Sequence, residues 1–163
     1  MDGMIHKEPQ GDELTPLGGL DEGGMHQLLG YQLAQASILT TAAFVSVAGK
    51  PLRLRPVEFT ILHLVHENAP VTATKLAKAL GITAPGVTIW LDRLEARGLL
   101  KRERNETDRR TQDVAVTRKG AELVATATER LMLADRELLR HLSEGERRML
   151  LELLHKVARA RKR

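Results

Sequence analysis

The sequence predicts a mainly α-helical chain carrying one small β-hairpin. Three observations lead there. Residues 72–97 hold two short helical patterns separated by Gly81. Residues 100–116 switch to two-residue alternation around a polar centre. Stretches with the 3.6-residue period of an amphipathic helix flank this middle on both sides.

Residues 1–24 are rich in glycine and carboxylates and contain Pro9 and Pro16. Such composition cannot bury a core, so a flexible acidic tail is expected. From Met25 to about Val47 one long helix is expected, with Leu29, Leu33, Ala36, Thr40 and Phe44 near one stripe. Its alanines and threonines suit close packing on another helix. A second helix runs from Pro56 to about Glu67, with Phe59, Leu62 and Val65 inward. Proline is tolerated at the first helical position, where its missing N–H leaves no bond unmade. Asn68 and Pro70 stop it.

Thr72 precedes Leu76, Ala77 and Leu80, and its hydroxyl can cap the first turn. Gly81 ends that helix, since glycine tolerates the left-handed conformation needed there. Thr83 caps the next, which buries Val87, Leu91 and Leu94 and has Pro85 in its first turn. Gly98 ends it, with Arg97 well placed against the helix dipole. From Thr83 to Arg97 it is roughly 22 Å long at about 1.5 Å per residue.

Leu100, Arg102 and Arg104 then alternate with Lys101 and Glu103, and Val114 and Val116 with Asp113 and Ala115. Asn105–Arg110 is the polar turn between these two strands. Residues 101–110 hold five basic and three acidic side chains. A charged hairpin directly after a helix–turn–helix is the grammar of a winged helix-turn-helix. Its second helix lies in the major groove, N-terminal residues nearest the bases. Those residues are Thr83, Ala84, Pro85, Gly86, Thr88 and Ile89. Thr88 can bond a base or a phosphate, and Ile89 can touch a thymine methyl. The set lacks an arginine or asparagine base reader, so phosphates, wing and DNA shape should carry much of the readout. The same helices without DNA would be a plain helical hairpin; the basic hairpin tip favours a wing reaching for backbone or minor groove.

After the hairpin, Thr117 caps a long helix expected to reach about His141. Ser143-Glu144-Gly145-Glu146 is a capping box. It opens a last helix bearing Met149, Leu150, Leu153, Leu154 and Val157. The first helix and the last two expose more apolar surface than a 45-residue reading unit can cover. A two-fold homodimer is therefore expected, presenting two reading helices to a near-palindromic duplex. The domain reading is thus tail 1–24, N-terminal dimerisation helix 25–55, winged helix-turn-helix 56–116, and C-terminal dimerisation helices 117–163. The basic end, Lys156 to Arg163, is either a solvated terminus or a further phosphate contact.

These residues resemble the MarR family of bacterial transcription regulators. The resemblance rests on Asp92-Arg93-Leu94-Glu95 through Gly98-Leu99, on Asp108-Arg109-Arg110, and on Val116-Thr117 with Gly120. It covers about residues 25–160. It implies that Arg110 meets the minor groove or its rim and that Arg109 belongs to the same wing tip. Asp108 would hold a wing arginine by an ion pair, or else be a plain turn aspartate. Arg93 would project toward phosphate or toward that aspartate. Two departures are visible. Leu54-Arg55-Pro56 stands where family members often carry a Ser/Thr cap. The Ala-Pro-Gly opening of the reading helix leaves its base preference open.

The resemblance also implies a small, often aromatic effector between dimer helices and reading unit. Its candidate lining is Tyr31, Gln35, Phe44, His63, His66 and Trp90. For Trp90 core packing is the competing role, and for Tyr31 a helix surface. The runs Leu-Arg-Pro-Val-Glu-Phe-Thr-Ile-Leu and Ala-Pro-Gly-Val-Thr-Ile-Trp-Leu-Asp-Arg-Leu also resemble regulators answering hydroxycinnamoyl-CoA thioesters. Lys50, Arg53 and Arg55 would then meet the CoA phosphates. A phenolic acid or aromatic acyl-CoA thioester is the expected effector, and a repressor released by it the expected function. A non-specific architectural DNA binder and a regulator without a ligand are the alternatives.

Composition bounds these readings. At 163 residues the chain makes one compact protomer, and 42% hydrophobic content supports a core. Cysteine is absent, which removes disulfides, thiolate metal sites and thiol-based oxidant sensing. Residues 1–24 carry six carboxylates against Lys7, a balance of −5 that leaves +9 on residues 25–163 of a whole-chain +4. That basic excess suits a polyanionic partner. No run of about 18 uninterrupted apolar residues and no basic-then-apolar leader is seen, so no membrane and a cytoplasmic location are expected. His66-Glu67 begins a metalloprotease word that Pro70 breaks. His63 and His66 alone make a poor metal site. No metal, cofactor or acid–base set is called for, and no enzyme is expected.

Overall fold

A computed structural model of the chain describes residues 14–104 and 112–161. The chain divides into two compact units, Met1–Thr41 and Ala42–Arg163.

In the first unit, residues 14–24 hold a small closed turn where the sequence suggests tail. Leu14 bridges Asp21, and the Thr15 amide donates to the Leu20 carbonyl at 2.8 Å. A 3₁₀ turn, Gly23–Gln27, leads into helix α1, Leu29–Phe44. The expected single helix from Met25 is therefore broken at Leu28, whose extended backbone caps the 3₁₀ turn. Leu29, Leu33, Ile38 and Leu39 of α1 all face solvent.

The second unit continues the same helical path. A wider π turn, Val45–Gly49, follows α1, and the short α2, Lys50–Leu52, closes it. Arg53 then adopts φ +52, the left-handed conformation that ends helices. From Leu29 to Leu52 the path reaches a mean hydropathy of 1.2, long and apolar enough by composition to cross a bilayer. Gln32, Gln35, Ser37, Thr40, Thr41 and Ser46 interrupt it.

Helix α3, Pro56–Asn68, buries Glu58, Ile61, Leu62 and Val65. Phe59, expected inward with them, is only half-buried. It turns to the rings of Phe44 and His63, with centroids 6.1 and 5.7 Å away. Ile61 takes the core position instead. Strand β1, Val71–Thr72, follows. Then come α4, Ala73–Leu80, and α5, Ala84–Ala96, packed on one another. Strands β2, Leu100–Arg104, and β3, Gln112–Val116, form the antiparallel hairpin, with Leu100 opposite Val116 and Arg104 opposite Gln112. β1 adds to β3 through Val71 opposite Val114, giving the sheet order β1-β3-β2. Two residues are too few for an alternating pattern, so this strand leaves no sequence signal.

Helix α6, Arg118–Leu138, packs on α3, and α7, Glu144–Arg159, ends the chain. α6 stops short of His141 because the last turn closes on Leu139. One core joins Leu62 and Val65 of α3, Leu76 of α4, Val87, Leu91 and Leu94 of α5, Val114 of β3, and Val124 and Ala127 of α6. Each fully buried aliphatic side chain contributes about 1.5–3 kcal/mol, so this cluster fixes α5 and the hairpin to one body. The fold is a winged helix-turn-helix with long flanking helices, as the periodicity predicts.

Candidate nucleic-acid interface

The start of α5 is built by its cap. Thr83 Oγ1 accepts from the Gly86 amide at 3.3 Å, and Pro85 sits in the first turn without leaving a bond unmade. α4 is capped in the same way, Thr72 Oγ1 accepting from the Lys75 amide at 3.4 Å. Between the helices Gly81, at φ +68, lets the Ile82 amide donate back to the Ala77 carbonyl at 3.1 Å. The tight turn leaves Thr83, Ala84, Pro85, Thr88 and Ile89 exposed, with Gly86 half-buried. Ile89 is 54% exposed, an apolar tip on a helix whose other face is fully buried. Thr88 spends its hydroxyl proton on the Ala84 carbonyl at 3.1 Å, which leaves its lone pairs as acceptors.

The hairpin is tied to this helix by charge. Arg102 of β2 pairs with Asp92 of α5 and, at 3.3 Å, with Glu95 one turn on. A second tie reaches α3. Buried Glu58 accepts from the Arg55 amide at 2.8 Å and meets Arg97 Nη1 at 3.4 Å. Arg97 also donates to the Leu52 carbonyl at 3.4 Å. A third tie fixes the base of the hairpin. Thr117 Oγ1 donates to the Gly98 carbonyl at 2.8 Å and accepts from the Gly120 amide at 3.0 Å. Gly120 is required there, since a Cβ would fall 2.1 Å from the Leu99 carbonyl oxygen.

Arg93 lies 4.9 Å over the Trp90 ring, and Arg55 lies 5.5 Å over the same ring. Asp108, Arg109 and Arg110, the wing-tip residues of the sequence reading, lie outside the described residues.

The effector candidates fall in both units. Tyr31 and Gln35 bond each other at 3.0 Å in the first unit, and the Tyr31 hydroxyl donates to Glu22 at 2.9 Å. That bond holds the phenol proton and pushes the Tyr31 pKa up. In the second unit, His63 and His66 line a cavity of about 460 Å³ between α3 and α6. Val124, Thr128, Glu129, Met132, Leu133 and Arg136 line its other wall. His63 Nδ1 and Thr128 Oγ1 are buried there with no hydrogen-bond partner. Phe44 approaches through Phe59 and not directly. Lys50, Arg53, Arg55 and Trp90 are not among the residues lining this cavity. Among the described residues, no group of three His, Asp or Glu side chains gathers as a metal site would need.

The MarR family model matches residues 54–111. The transcriptional repressor CouR, solved on a 23-mer DNA duplex, is 33% identical over 85% of this chain and 98% of its own, with a TM-score of 0.79. The chain belongs to the MarR family. CouR bound to p-coumaroyl-CoA is 31% identical, covering 86% of this chain and 98% of that one, with a TM-score of 0.74. Apo wild-type MarR from E. coli is 26% identical over 80% and 96%, with a TM-score of 0.68. As a MarR-family chain it is a transcriptional regulator, and its family and fold are not those of an enzyme.

Three residues placed by this MarR-family fold lack a sequence signal. Arg102 reads as one of several wing cations, and nothing in the hairpin's alternation says that it turns back to α5. Glu58 sits in the first turn of α3, where a carboxylate is ordinary, and only the fold brings Arg97 to it. Thr128 lies on the polar-to-apolar border of α6, so its burial without a partner is visible only in three dimensions.

Proposed function

We propose that the chain is a DNA-binding repressor released by an aromatic acyl-CoA thioester. The observation that carries the DNA half is the exposed N-terminal strip of α5, set by its Thr83 cap and flanked by a hairpin locked through Arg102. Thr83, Ala84, Pro85, Gly86, Thr88 and Ile89 face the groove in this reading, and Arg93 faces the backbone. Asp108, Arg109 and Arg110 supply the wing contact. The likeness to CouR on duplex DNA supports it.

The effector half rests on the cavity between α3 and α6. Its volume suits the aromatic end of such a thioester. An unpartnered buried hydroxyl and imidazole nitrogen are costly unless a polar group meets them. A phenolic ring entering past Met132 and Leu133 supplies such a group, with Arg136 left for an anionic remainder. The likeness to CouR with p-coumaroyl-CoA supports this class. Coupling is reciprocal: duplex must weaken effector binding by the factor by which effector weakens duplex binding.

A second copy of the chain completes the reading. Leu29, Leu33 and Ile38 of α1, Met132 and Leu133 of α6, and Met149, Leu151 and Leu153 of α7 all stand in solvent. Apolar surface on that scale marks an interface in a soluble regulator. Residues 25–55 and 117–163 are its dimerisation helices, and the duplex partner puts the protein in the cytoplasm. No catalytic step is assigned to it.

The test is polarisation of labelled DNA from upstream of the protein's own gene, against random duplex. Tight salt-sensitive binding, released by p-coumaroyl-CoA and not by CoA alone, is expected. Equal affinity for both duplexes would leave an architectural DNA binder instead.

A further inference from the structure

Two arginines from distant parts of the chain share one indole. Arg93 reaches the Trp90 ring from three residues along α5, and Arg55 reaches it from the N-terminal end of α3. Like charges repel, so two guanidiniums on one ring need either a gain elsewhere or an anion to join them. Their neighbours do not supply that anion. Arg97 and Arg102, the other arginines around α5, are engaged by Glu58 and by Asp92 and Glu95. Among the described residues, no carboxylate lies in ion-pair range of Arg55 or Arg93. Both are exposed, while Trp90 is half-buried against the core. The ring is therefore fixed and the cations lie over it.

Their position says which anion they suit. Ile89 and Arg93 are four residues apart on α5, so they stand on one exposed strip of that helix. Arg55 lies over the ring of Trp90, the residue next to Ile89 in that helix. We propose that Trp90 is a platform holding Arg55 and Arg93 as a paired clamp for the phosphodiester backbone beside the recognition helix. Stacking on an aromatic face leaves the guanidinium edges free to donate, and a planar fork matches phosphate geometry. Arg55 is thus a backbone contact and Trp90 a positioning residue for both arginines. The assignment rests on the DNA-binding reading above.

The experiment is the salt dependence of duplex affinity for full-length protein, measured with wild type, Arg55→Gln, Arg93→Gln, Trp90→Leu and Trp90→Phe. Each lost phosphate contact lowers the log–log salt slope by about 0.9. Arg55→Gln and Arg93→Gln should each lower it by about that much, and the double variant by about twice as much. The preference for upstream over random DNA should stay within about two-fold, because phosphate contacts carry no sequence information. Trp90→Leu should lower the slope without touching either arginine, and Trp90→Phe, which keeps a ring, should restore most of it. Trp90 is the single tryptophan, so its fluorescence in the wild type should change on duplex binding. Thermal unfolding of each variant keeps a folding defect apart from a lost contact, and the Trp90→Phe and Arg55→Gln pair suffices if Trp90→Leu does not fold.

An unchanged slope in Arg55→Gln beside a steep wild-type slope overturns the clamp and leaves the DNA-binding reading intact. Lost affinity for free CoA with an unchanged duplex slope would give the pair to a nucleotide phosphate instead, and overturn it equally. A wild type with no salt-dependent duplex binding overturns clamp and reading together.

Discussion

Arg102 in the wing strand is held by Asp92 on the recognition helix, and only 17% of the Arg102 side chain is exposed. The pair joins α5 to strand β2, the two elements expected to touch DNA. Glu95 flanks the same guanidinium, which makes the tie a three-residue one.

The first prediction follows from that tie. Asp92→Asn and Arg102→Gln should each cost about 1 kcal/mol of stability, the scale of a partly screened ion pair. Duplex affinity should fall further, by about ten-fold, because the wing must then be ordered on binding. The double variant should lose little more than either single one, as expected for partners in one contact. Additive losses in denaturant unfolding and polarisation would mean that the two side chains act apart.

A second prediction concerns Gly120. Its alanine variant places a methyl against the Leu99 carbonyl at 2.1 Å, a backbone atom that cannot step aside. Gly120→Ala should therefore cost about 3 kcal/mol, at the upper end for overpacking. Gly145→Ala is the control, since nothing lies within 4 Å of its Cβ position. Equal urea midpoints for the two variants would contradict the close approach.

The same residues mark what was legible in the sequence. Caps and stops were readable because they are local. Thr72, Thr83, Thr117 and Ser143 all cap the helices that follow them. The buried stripe Val87, Leu91, Leu94 was readable because its period is set by the helix itself. Contacts between elements were not. Arg55 reads as a candidate for CoA phosphates beside Lys50 and Arg53, and its place over Trp90, 35 positions along the chain, has no signal in the sequence. Tyr31 and Gln35 read as effector lining, and the bond of Tyr31 to Glu22 has no signal in the sequence. A short strand such as β1 has no period to detect, and its pairing with β3 spans some forty residues.

A third prediction tests the cavity between α3 and α6. Thr128→Val removes a buried hydroxyl that has no partner in the free protein. Stability should hold or rise by about 1 kcal/mol, since an unmade buried bond is relieved. Affinity for p-coumaroyl-CoA should fall about five- to ten-fold in calorimetry, because the ligand loses a bonding group. A loss of stability with unchanged ligand affinity would separate Thr128 from the effector site.

A fourth prediction concerns acid. The Ser143 hydroxyl and amide both donate to Glu146, at 2.6 and 2.8 Å, and hold its carboxyl below the usual carboxylate range. The sign follows from that direction. A carboxyl whose folded pKa is lowered adds stability above its ordinary range and loses it as pH falls through the lowered value. The first turn of α7 should therefore fray on acidification before the core of α3 and α5 is affected. Amide exchange at Glu146 and Arg147 should quicken as pH drops below the ordinary glutamate range, once corrected for intrinsic rates. Glu146→Gln, which keeps an acceptor but cannot ionise, should flatten that pH dependence. Exchange at α7 that tracks α3 at every pH would show that the capping box is not what orders this end of the chain.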